Sequence, residues 1–253
     1  MSALPIAYAD IPYLVNSIPH NSLFMVISGS HSWGLDRPDS DIDVRGIYGW
    51  DMQTALSLHP GRDTYENHDA VDLQMYELKK ALGMLLNANG NVIEMLHNPM
   101  IVHTSHVGEQ LRCLAEQCIT KRLAKYYLGY ADGQRKRAMQ NRGGKALIYT
   151  YREIYSGLMV MLTGKIVFNF HELRDEVEKR WYASEVLPWA LEHRDGQVPL
   201  ETMQKFNAEW AILSALLAYE RDVSTLPDRE PDGFLAECDK VLFDYRMASL
   251  EWS

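Results

Sequence analysis

The sequence predicts an α+β protein, in which a mixed sheet with a few helices precedes a mostly α-helical domain. Strand-like apolar runs occur before residue 104, where Pro and Gly turns separate them. Amphipathic stretches of helical length occupy most of the chain after that point. The length of 253 residues is sufficient for two small domains with their own cores. We therefore predict one domain over residues 1–104 and a second over residues 105–253.

Strands are predicted where short apolar runs are bounded by turn residues. Pro38 and Asp39 form good turn chemistry between the first two runs, and His59-Pro60-Gly61 is typical of a hairpin turn. A later run alternates apolar and polar side chains, which favours a further strand. The predicted strands are 23–28, 41–48, 70–75 and a hairpin that pairs 55–58 with 64–67.

Helices are predicted where apolar side chains recur every three or four residues. Leu78, Leu82 and Leu85 share one face of such a stretch, and Gly143-Gly144 separates two long stretches in the second domain. The predicted helices are 8–18, 76–87, 92–96, 107–118, 121–141, 145–163, 200–220 and 234–249.

The composition restricts the class of protein. No apolar run is long enough to span a bilayer, and no signal peptide is expected, so we predict no membrane association. The three cysteines, Cys113, Cys118 and Cys238, have neither a zinc-binding spacing nor an even disulfide number. A reducing cytoplasmic location is therefore predicted.

Charge is distributed unevenly along the chain. The net charge of −9 argues against a broad, non-specific interaction with nucleic acid. Residues 121–152, in contrast, contain nine basic side chains and one acidic side chain. This segment either guides an RNA end or forms an ordinary solvated basic face. The oligomeric state is not determined by the sequence.

The segment GSHSWGLDRPDSDID, at residues 29–43, contains the residues that indicate a reaction. Gly29 and Ser30 follow an apolar run and offer backbone N–H groups and a hydroxyl where phosphate binds readily. Asp41 and Asp43 lie two residues apart, so on a strand they point to the same face. At about 4 Å and an effective dielectric of about 20 they would repel by roughly 4 kcal/mol. A bound cation between them, such as Mg²⁺ or Mn²⁺, would remove this cost.

A two-metal centre needs a third carboxylate, and Asp72 is the candidate. It lies between Val71 and Leu73 in a predicted strand, where an unpaired carboxylate would be costly. The alternatives are Asp69 as the ligand, or Asp72 as a solvent-facing residue at a strand edge. An Asx-rich turn explains Asp39 and could also explain Asp41, but it does not explain Asp43.

Two further residues of this region are candidates for nucleotide binding. Arg45 lies two residues after Asp43, so on a strand it shares the face of that carboxylate. It either neutralises the carboxylates without ligand or contacts a nucleotide phosphate, and we favour a mixed role. His31 either positions a phosphate or supports residues that do.

The motifs GS…PDSDIDVRGIY, VDLQMYELKKAL and NGNVIEML together resemble the DNA polymerase β-type nucleotidyltransferase superfamily. Within it the chain is similar to the RNA-ligase-associated predicted nucleotidyltransferases over roughly residues 20–180. The resemblance implies that Gly29 and Ser30 hold the β- and γ-phosphates. It implies that Asp41 and Asp43 bind both metals, and that Asp72 is a metal ligand and the base for the acceptor hydroxyl.

The resemblance also points to one helix of the second domain. Lys145 and Arg152 occupy positions where this branch carries a Lys and an Arg, whereas Tyr149 often corresponds to a histidine. The spacing of these three residues places them on one helix face, where they could hold triphosphate charge or stack on a base. The alternative is a solvated basic face.

These residues predict a nucleotidyltransferase that moves an NMP from an NTP, expected to be ATP, to a hydroxyl acceptor and releases pyrophosphate. The cofactor is expected to be Mg²⁺ or Mn²⁺, and the branch suggests RNA repair with an RNA end as acceptor. Two alternatives stay open: a non-catalytic nucleotide-binding regulatory module on the same fold, and transfer to a protein or small-molecule acceptor.

Overall fold

In a computed structural model, residues 21–68, 71–141 and 143–252 are described. The chain forms two compact units. Unit 1 comprises the described residues up to Cys118 together with those from Pro231 onward, and unit 2 comprises Ile119–Glu230. The boundary predicted near residue 104 thus falls inside unit 1, between its last strand and the helix that follows. The predicted helix over 8–18 lies outside the described residues.

Unit 1 contains a mixed five-stranded sheet with the strand order β3-β4-β2-β1-β5. The pair β2–β4 is parallel, and the pairs β1–β2, β1–β5 and β3–β4 are antiparallel. The predicted α+β class with a mixed sheet is confirmed. The strands are β1 (Asn21–Ser28), β2 (Asp43–Gly49), β3 (Thr64–Asn67), β4 (Asp72–Glu77) and β5 (Ile101–Thr104).

Along the chain, the helices of unit 1 lie between the strands and after the last of them. The last of them comes from the far end of the chain, so the unit is discontinuous. A 3₁₀ turn at Ser249–Trp252 follows it. The helices are α1 (Gly29–Trp33), α2 (Met52–Ala55), α3 (Leu78–Leu86), α4 (Gly90–His97), α5 (His106–Glu116) and α11 (Phe234–Ala248).

The described residues of unit 2 are mostly helical. Its two long central helices, α6 and α7, pack against each other, and α7 also contacts the three helices that follow it. Helix α7 is buried along most of its length. The helices are α6 (Arg122–Asn141), α7 (Gly144–Thr163), α8 (Phe170–Arg180), α9 (Val186–Glu192) and α10 (Leu200–Val223).

Burial explains why the strands form where the sequence predicts them. Met25, Val44, Leu73 and Met75 are inward-facing residues of β1, β2 and β4 and belong to one apolar cluster. Their alternation with half-buried polar neighbours on β4 follows the two-residue period of a strand. Packing of these side chains fixes the register that positions the first residue of each strand.

The predicted hairpin of 55–58 with 64–67 is wrong. The Asp51 side chain accepts a hydrogen bond from the Thr54 amide at 2.6 Å, which caps the short helix α2. Leu56 and Leu58 are 77% and 93% exposed, so this apolar run does not pack against the core. Strand β3 instead pairs with β4.

None of the helices in the described part of the chain is both long and apolar enough to cross a membrane. Cys113 is exposed, whereas Cys118 and Cys238 are buried.

Candidate active site

Strand pairing brings two of the predicted carboxylates together. Asp43 is the first residue of β2 and Asp72 is the first residue of β4. The two are direct partners in the parallel β2–β4 pair, so their side chains leave the same face of the sheet. Both are only partly exposed. Residues 29 apart in sequence therefore form one acidic centre at this end of the sheet.

Arg45 is the counter-ion of this centre. Its Nη2 donates to Asp43 Oδ1 at 3.0 Å and to Asp72 Oδ2 at 2.7 Å. Its Nη1 donates to the backbone carbonyls of Asp72 at 2.6 Å and Val44 at 3.0 Å. A single guanidinium thus bridges both carboxylates and offsets their repulsion. Of the two roles predicted for Arg45, the structure contains the neutralising one.

Asp72 remains ionised in this environment. Burial would raise the pKa of its carboxyl, but the hydrogen bond that Arg45 donates to it and the Arg45 charge hold that pKa below its usual value. His68 Nδ1 lies 2.7 Å from Asp72 Oδ1 and contributes in the same direction. Sequence reasoning missed His68, because nothing in the sequence indicates that a loop histidine four residues before Asp72 contacts its carboxylate.

Replacing Arg45 by Met is expected to raise the pKa of Asp72, because the hydrogen bond and the charge that lower it are removed. The lowered pKa stabilises the folded protein above the unfolded pKa of Asp72, and this contribution disappears as pH falls through the folded pKa. In the Arg45→Met protein this contribution is smaller, and its loss is complete at a higher pH. A carboxyl-carbon NMR titration of metal-free protein measures the shift. Lys240→Met, which removes an exposed charge elsewhere, should leave Asp72 unchanged; an unchanged pKa in Arg45→Met would contradict the assignment.

Gly29 packs its backbone directly against Asp43. The residue has a φ of 65°, and a Cβ built on it would lie 2.0 Å from Asp43 Oδ2. Only glycine allows both this left-handed conformation and this approach. Ser30 is buried in α1, directly after this contact. The predicted phosphate-binding pair Gly29-Ser30 therefore lies beside the acidic centre.

Gly29→Ala is expected to displace the Asp43 carboxylate and to abolish activity that depends on it. The variant also destabilises the protein by about 1–2 kcal/mol through its left-handed backbone, before the clash is added. Gly233→Ala is a matched control, because Gly233 has a φ of 94° and open space around its Cβ position. Thermal unfolding of both variants separates backbone strain from the clash. Equal losses of stability in Gly29→Ala and Gly233→Ala would show that a clash with Asp43 contributes nothing.

His31 contacts the loop between α1 and β2. Its Nε2 lies 3.3 Å from the Ser40 carbonyl oxygen, and its Nδ1 lies 3.7 Å from Asp36 Oδ2. These contacts agree with the supporting role that was one of its two predicted functions. Direct contact of His31 with a phosphate stays a prediction.

Asp41 is placed differently from its predicted partner Asp43. Strand β2 begins at Asp43 rather than at residue 41, so Asp41 lies in the preceding loop, where it is exposed. The same-face argument for a strand pair therefore does not apply to Asp41. Within residues 21–68, 71–141 and 143–252, no group of three His, Cys, Asp or Glu side chains is arranged to hold a metal ion. The role of Asp41 as a third metal ligand stays a prediction, and Asp69 lies outside the described residues.

The chemistry of the donor set nevertheless fits a hard cation at two of the three predicted ligands. The Asp43 and Asp72 carboxylates offer the oxygen donors that Mg²⁺ and Mn²⁺ prefer, and a cationic group already lies between them. A metal ion would replace the charge that Arg45 supplies in this state.

The three predicted residues of the second domain lie together on α7 in unit 2. Lys145 is exposed, and its Nζ lies 5.6 Å from the centre of the half-buried Tyr149 ring. Arg152 is only 1% exposed, and its Nη1 donates to Glu153 Oε1 at 2.8 Å. The solvated-face alternative is therefore wrong for Arg152, and its charge is compensated inside unit 2. The solvated-face alternative remains open for Lys145.

Acidic side chains offset much of the positive charge of residues 121–152. A single carboxylate, that of Asp132, pairs with both Arg135 and Lys136. Counted over the sequence, unit 2 has 17 basic and 15 acidic residues. The segment therefore presents less positive charge than its sequence suggests. Further ion pairs among the described residues of this segment include Lys121–Asp228, Arg122–Glu230 and Arg152–Glu153.

The chain is similar to known proteins over most of its length. A family model described as "RlaP: RNA repair pathway DNA polymerase beta family" matches residues 7–244. The uncharacterized protein MJ0002 of Methanocaldococcus jannaschii is 28% identical over 159 residues, covering 60% of this chain and 65% of the relative. The uncharacterized protein YcgL of Bacillus subtilis is 31% identical over 133 residues, covering 51% of each protein. The chain thus spans less than two thirds of the length of either relative.

Proposed function

The chain belongs to the RNA repair pathway DNA polymerase beta family, and on that premise we propose that it is a metal-dependent nucleotidyltransferase. It would move an NMP from an NTP, expected to be ATP, to a hydroxyl acceptor and release pyrophosphate. The pairing of Asp43 with Asp72 at the start of adjacent parallel strands carries this proposal. Two carboxylates held on one face and joined by a cation suit a site that binds metal and nucleotide.

The residues of the acidic centre have separate roles in this proposal. Asp43 and Asp72 would hold Mg²⁺ or Mn²⁺, with Asp41 as a further ligand. The bound metal supplies positive charge to the phosphates and to the developing charge of the transition state. Arg45, released from the carboxylates, is positioned to contact a phosphate.

Asp72 is the proposed base for the acceptor. Its carboxylate takes the proton of the acceptor hydroxyl, and the oxygen forms a bond to the α-phosphorus. The bond between the α-phosphorus and its bridging oxygen breaks in line, and pyrophosphate leaves. His68 and Arg45 fix the carboxylate by hydrogen bonds to its two oxygens, so that it is oriented before substrate arrives.

The phosphates of the NTP are proposed to lie at Gly29 and Ser30, with His31 holding the adjoining loop. Gly29 brings backbone within contact distance of Asp43, which supports a shared site for phosphate and metal. Lys145, Tyr149 and Arg152 remain candidates for nucleotide binding from the second predicted domain. The family description supports an RNA end as acceptor and a role in RNA repair, with residues 121–152 as one candidate contact.

Label transfer tests this function. Full-length protein is incubated with Mg²⁺ or Mn²⁺, a pool of RNAs and proteins, and an NTP labelled at either the α- or the γ-phosphate. The proposal expects label in an acceptor from the α-labelled NTP and label in pyrophosphate from the γ-labelled NTP. Transfer of the γ-label to an acceptor would instead indicate a kinase and contradict the proposal.

A second candidate function is non-catalytic nucleotide binding on the same fold. The exposed position of Asp41 outside β2 favours it, because the described residues then hold two aligned carboxylates rather than three. Tight NTP binding without label transfer to any acceptor would support this candidate. Asp41→Ala separates the two: it should reduce transfer in an enzyme and leave NTP binding unchanged in a regulatory module.

A further inference from the structure

A cavity of about 940 Å³ lies beside β3 and β4 in unit 1. Its volume is at the upper end of the range of roughly 300–1,000 Å³ for ligand sites. We call it the β3–β4 groove. Its charged lining consists of three cations, Arg62, Lys79 and Lys80, and three carboxylates, Asp63, Glu66 and Glu77.

The groove begins next to the acidic centre. Asp72, Gln74 and Tyr76 alternate with buried residues along β4, so the three side chains lie on one face of the strand. Gln74 and Tyr76 line the groove, and Asp72 is the next residue on that face. Gln74 donates to Glu66 Oε1 at 2.8 Å and accepts from the Tyr76 hydroxyl at 2.9 Å, which fixes the floor between them.

Cations and carboxylates both line this groove, although unit 1 has few cations. By sequence, unit 1 has 8 basic and 19 acidic residues. Three of those basic residues, Arg62, Lys79 and Lys80, line the groove. The Lys80 ammonium donates to Asp63 at 2.7 Å, whereas Arg62 and Lys79 are exposed. Of the three carboxylates, Asp63 pairs with Lys80 and Glu77 pairs with Arg246. Arg62 and Lys79 are therefore the cations of the lining that can contact a phosphate.

An aromatic ring accompanies these cations. Lys80 Nζ lies 5.8 Å from the centre of the Tyr76 ring, and Trp50, half-buried, lines the same groove. Exposed cations beside aromatic side chains are an arrangement that binds single-stranded nucleic acid, since bases stack on rings while cations follow the backbone.

We propose that the β3–β4 groove binds the last nucleotides of a single-stranded RNA and directs its terminal hydroxyl to Asp72. This rests on the proposed nucleotidyl transfer, and it assigns the acceptor to a different surface from the basic segment 121–152. Phosphates would contact Arg62 and Lys79, and a base would lie against Tyr76. Positioned in this way, the acceptor hydroxyl and the carboxylate that takes its proton lie on one face of β4.

The test measures binding of a short, 5′-labelled single-stranded RNA to full-length protein by fluorescence anisotropy. The double variant Arg62→Ala/Lys79→Ala removes two exposed charges and leaves the buried side chains in place. We expect it to bind the RNA about tenfold or more weakly, with unchanged affinity for NTP. The slope of log affinity against log salt concentration should become shallower by about 0.7 for each phosphate that the variant no longer neutralises. The exchange Arg62→Lys/Lys79→Arg keeps both charges and should restore binding.

Lys165→Ala/Lys205→Ala is the matched control, because both side chains are exposed and belong to unit 2. It removes the same charge and should leave RNA binding unchanged. Wild-type affinity in the groove variant would overturn the proposal, and so would a loss confined to Lys125→Ala/Arg137→Ala in the basic segment. A groove variant that loses RNA binding, in a protein that transfers no label, would keep the groove as an RNA site and reject the proposed transfer.

Discussion

Replacing Asp43 by Asn is expected to lower nucleotidyl transfer by about 10³-fold or more, while the protein remains folded. The amide keeps the shape of the side chain but removes the charge that would hold the metal and, through it, the nucleotide phosphates. Asp43 also pairs with Arg45 and packs against Gly29, so no other described side chain can take its position. Initial rates of label transfer from an α-labelled NTP measure the loss.

Asp39→Asn is the matched control for this result. Asp39 is exposed in the turn before β2, a few residues from Asp43 along the chain. It should retain the wild-type rate, because a turn aspartate binds neither metal nor phosphate. Transfer that survives in Asp43→Asn, or that falls equally in Asp39→Asn, would reject the assignment of Asp43 as a ligand.

Replacing Arg246 by Ala is expected to destabilise unit 1 by about 3–5 kcal/mol, the usual cost of removing one partner of a buried ion pair. Arg246 on α11 bonds to the carboxylate of Glu77 and to the Trp50 carbonyl. Glu77 is only 1% exposed, and its other oxygen accepts from the Lys79 amide at 2.7 Å, which caps α3. Without Arg246 the Glu77 charge stays buried and uncompensated.

Urea denaturation measures this effect, and two variants test its cause. Lys240 forms an exposed pair with Asp244 on the same helix, so Lys240→Ala should change stability by about 0.5 kcal/mol or less. The double variant Glu77→Gln/Arg246→Met leaves no buried charge and should be more stable than Arg246→Ala. A loss in Arg246→Ala no larger than in Lys240→Ala would contradict the account of this pair.

Much of unit 1 could be predicted from local patterns. The apolar runs that predict β1 and β2 are mostly buried, and the alternation that predicts β4 is the burial pattern that this strand shows. The Gly29-Ser30 and Asp43 motif is found at the junction of β1, α1 and β2. Asp72 could be predicted as a partner of Asp43 because a carboxylate between two apolar residues needs a compensating group. These features depend on neighbours in the chain.

The rest depends on contacts between distant residues, which local patterns do not contain. Arg246 and Glu77 are 169 residues apart, so nothing near either one indicates that the C-terminal helix belongs to unit 1. Strand β5 is only four residues long and lies at the sheet edge, so it has little apolar signal. The burial of Arg152 beside Glu153 depends in the same way on the packing of α7 among other helices.

Binding of Mn²⁺ in the presence of a non-hydrolysable NTP analogue tests most directly whether Asp43 and Asp72 form one metal and nucleotide centre. Electron paramagnetic resonance reports bound Mn²⁺ without any requirement for turnover. We expect Asp43→Asn and Asp72→Asn each to weaken Mn²⁺ binding by about tenfold or more, and Asp39→Asn to leave it unchanged. Wild-type Mn²⁺ affinity in both of the first two variants would contradict this assignment.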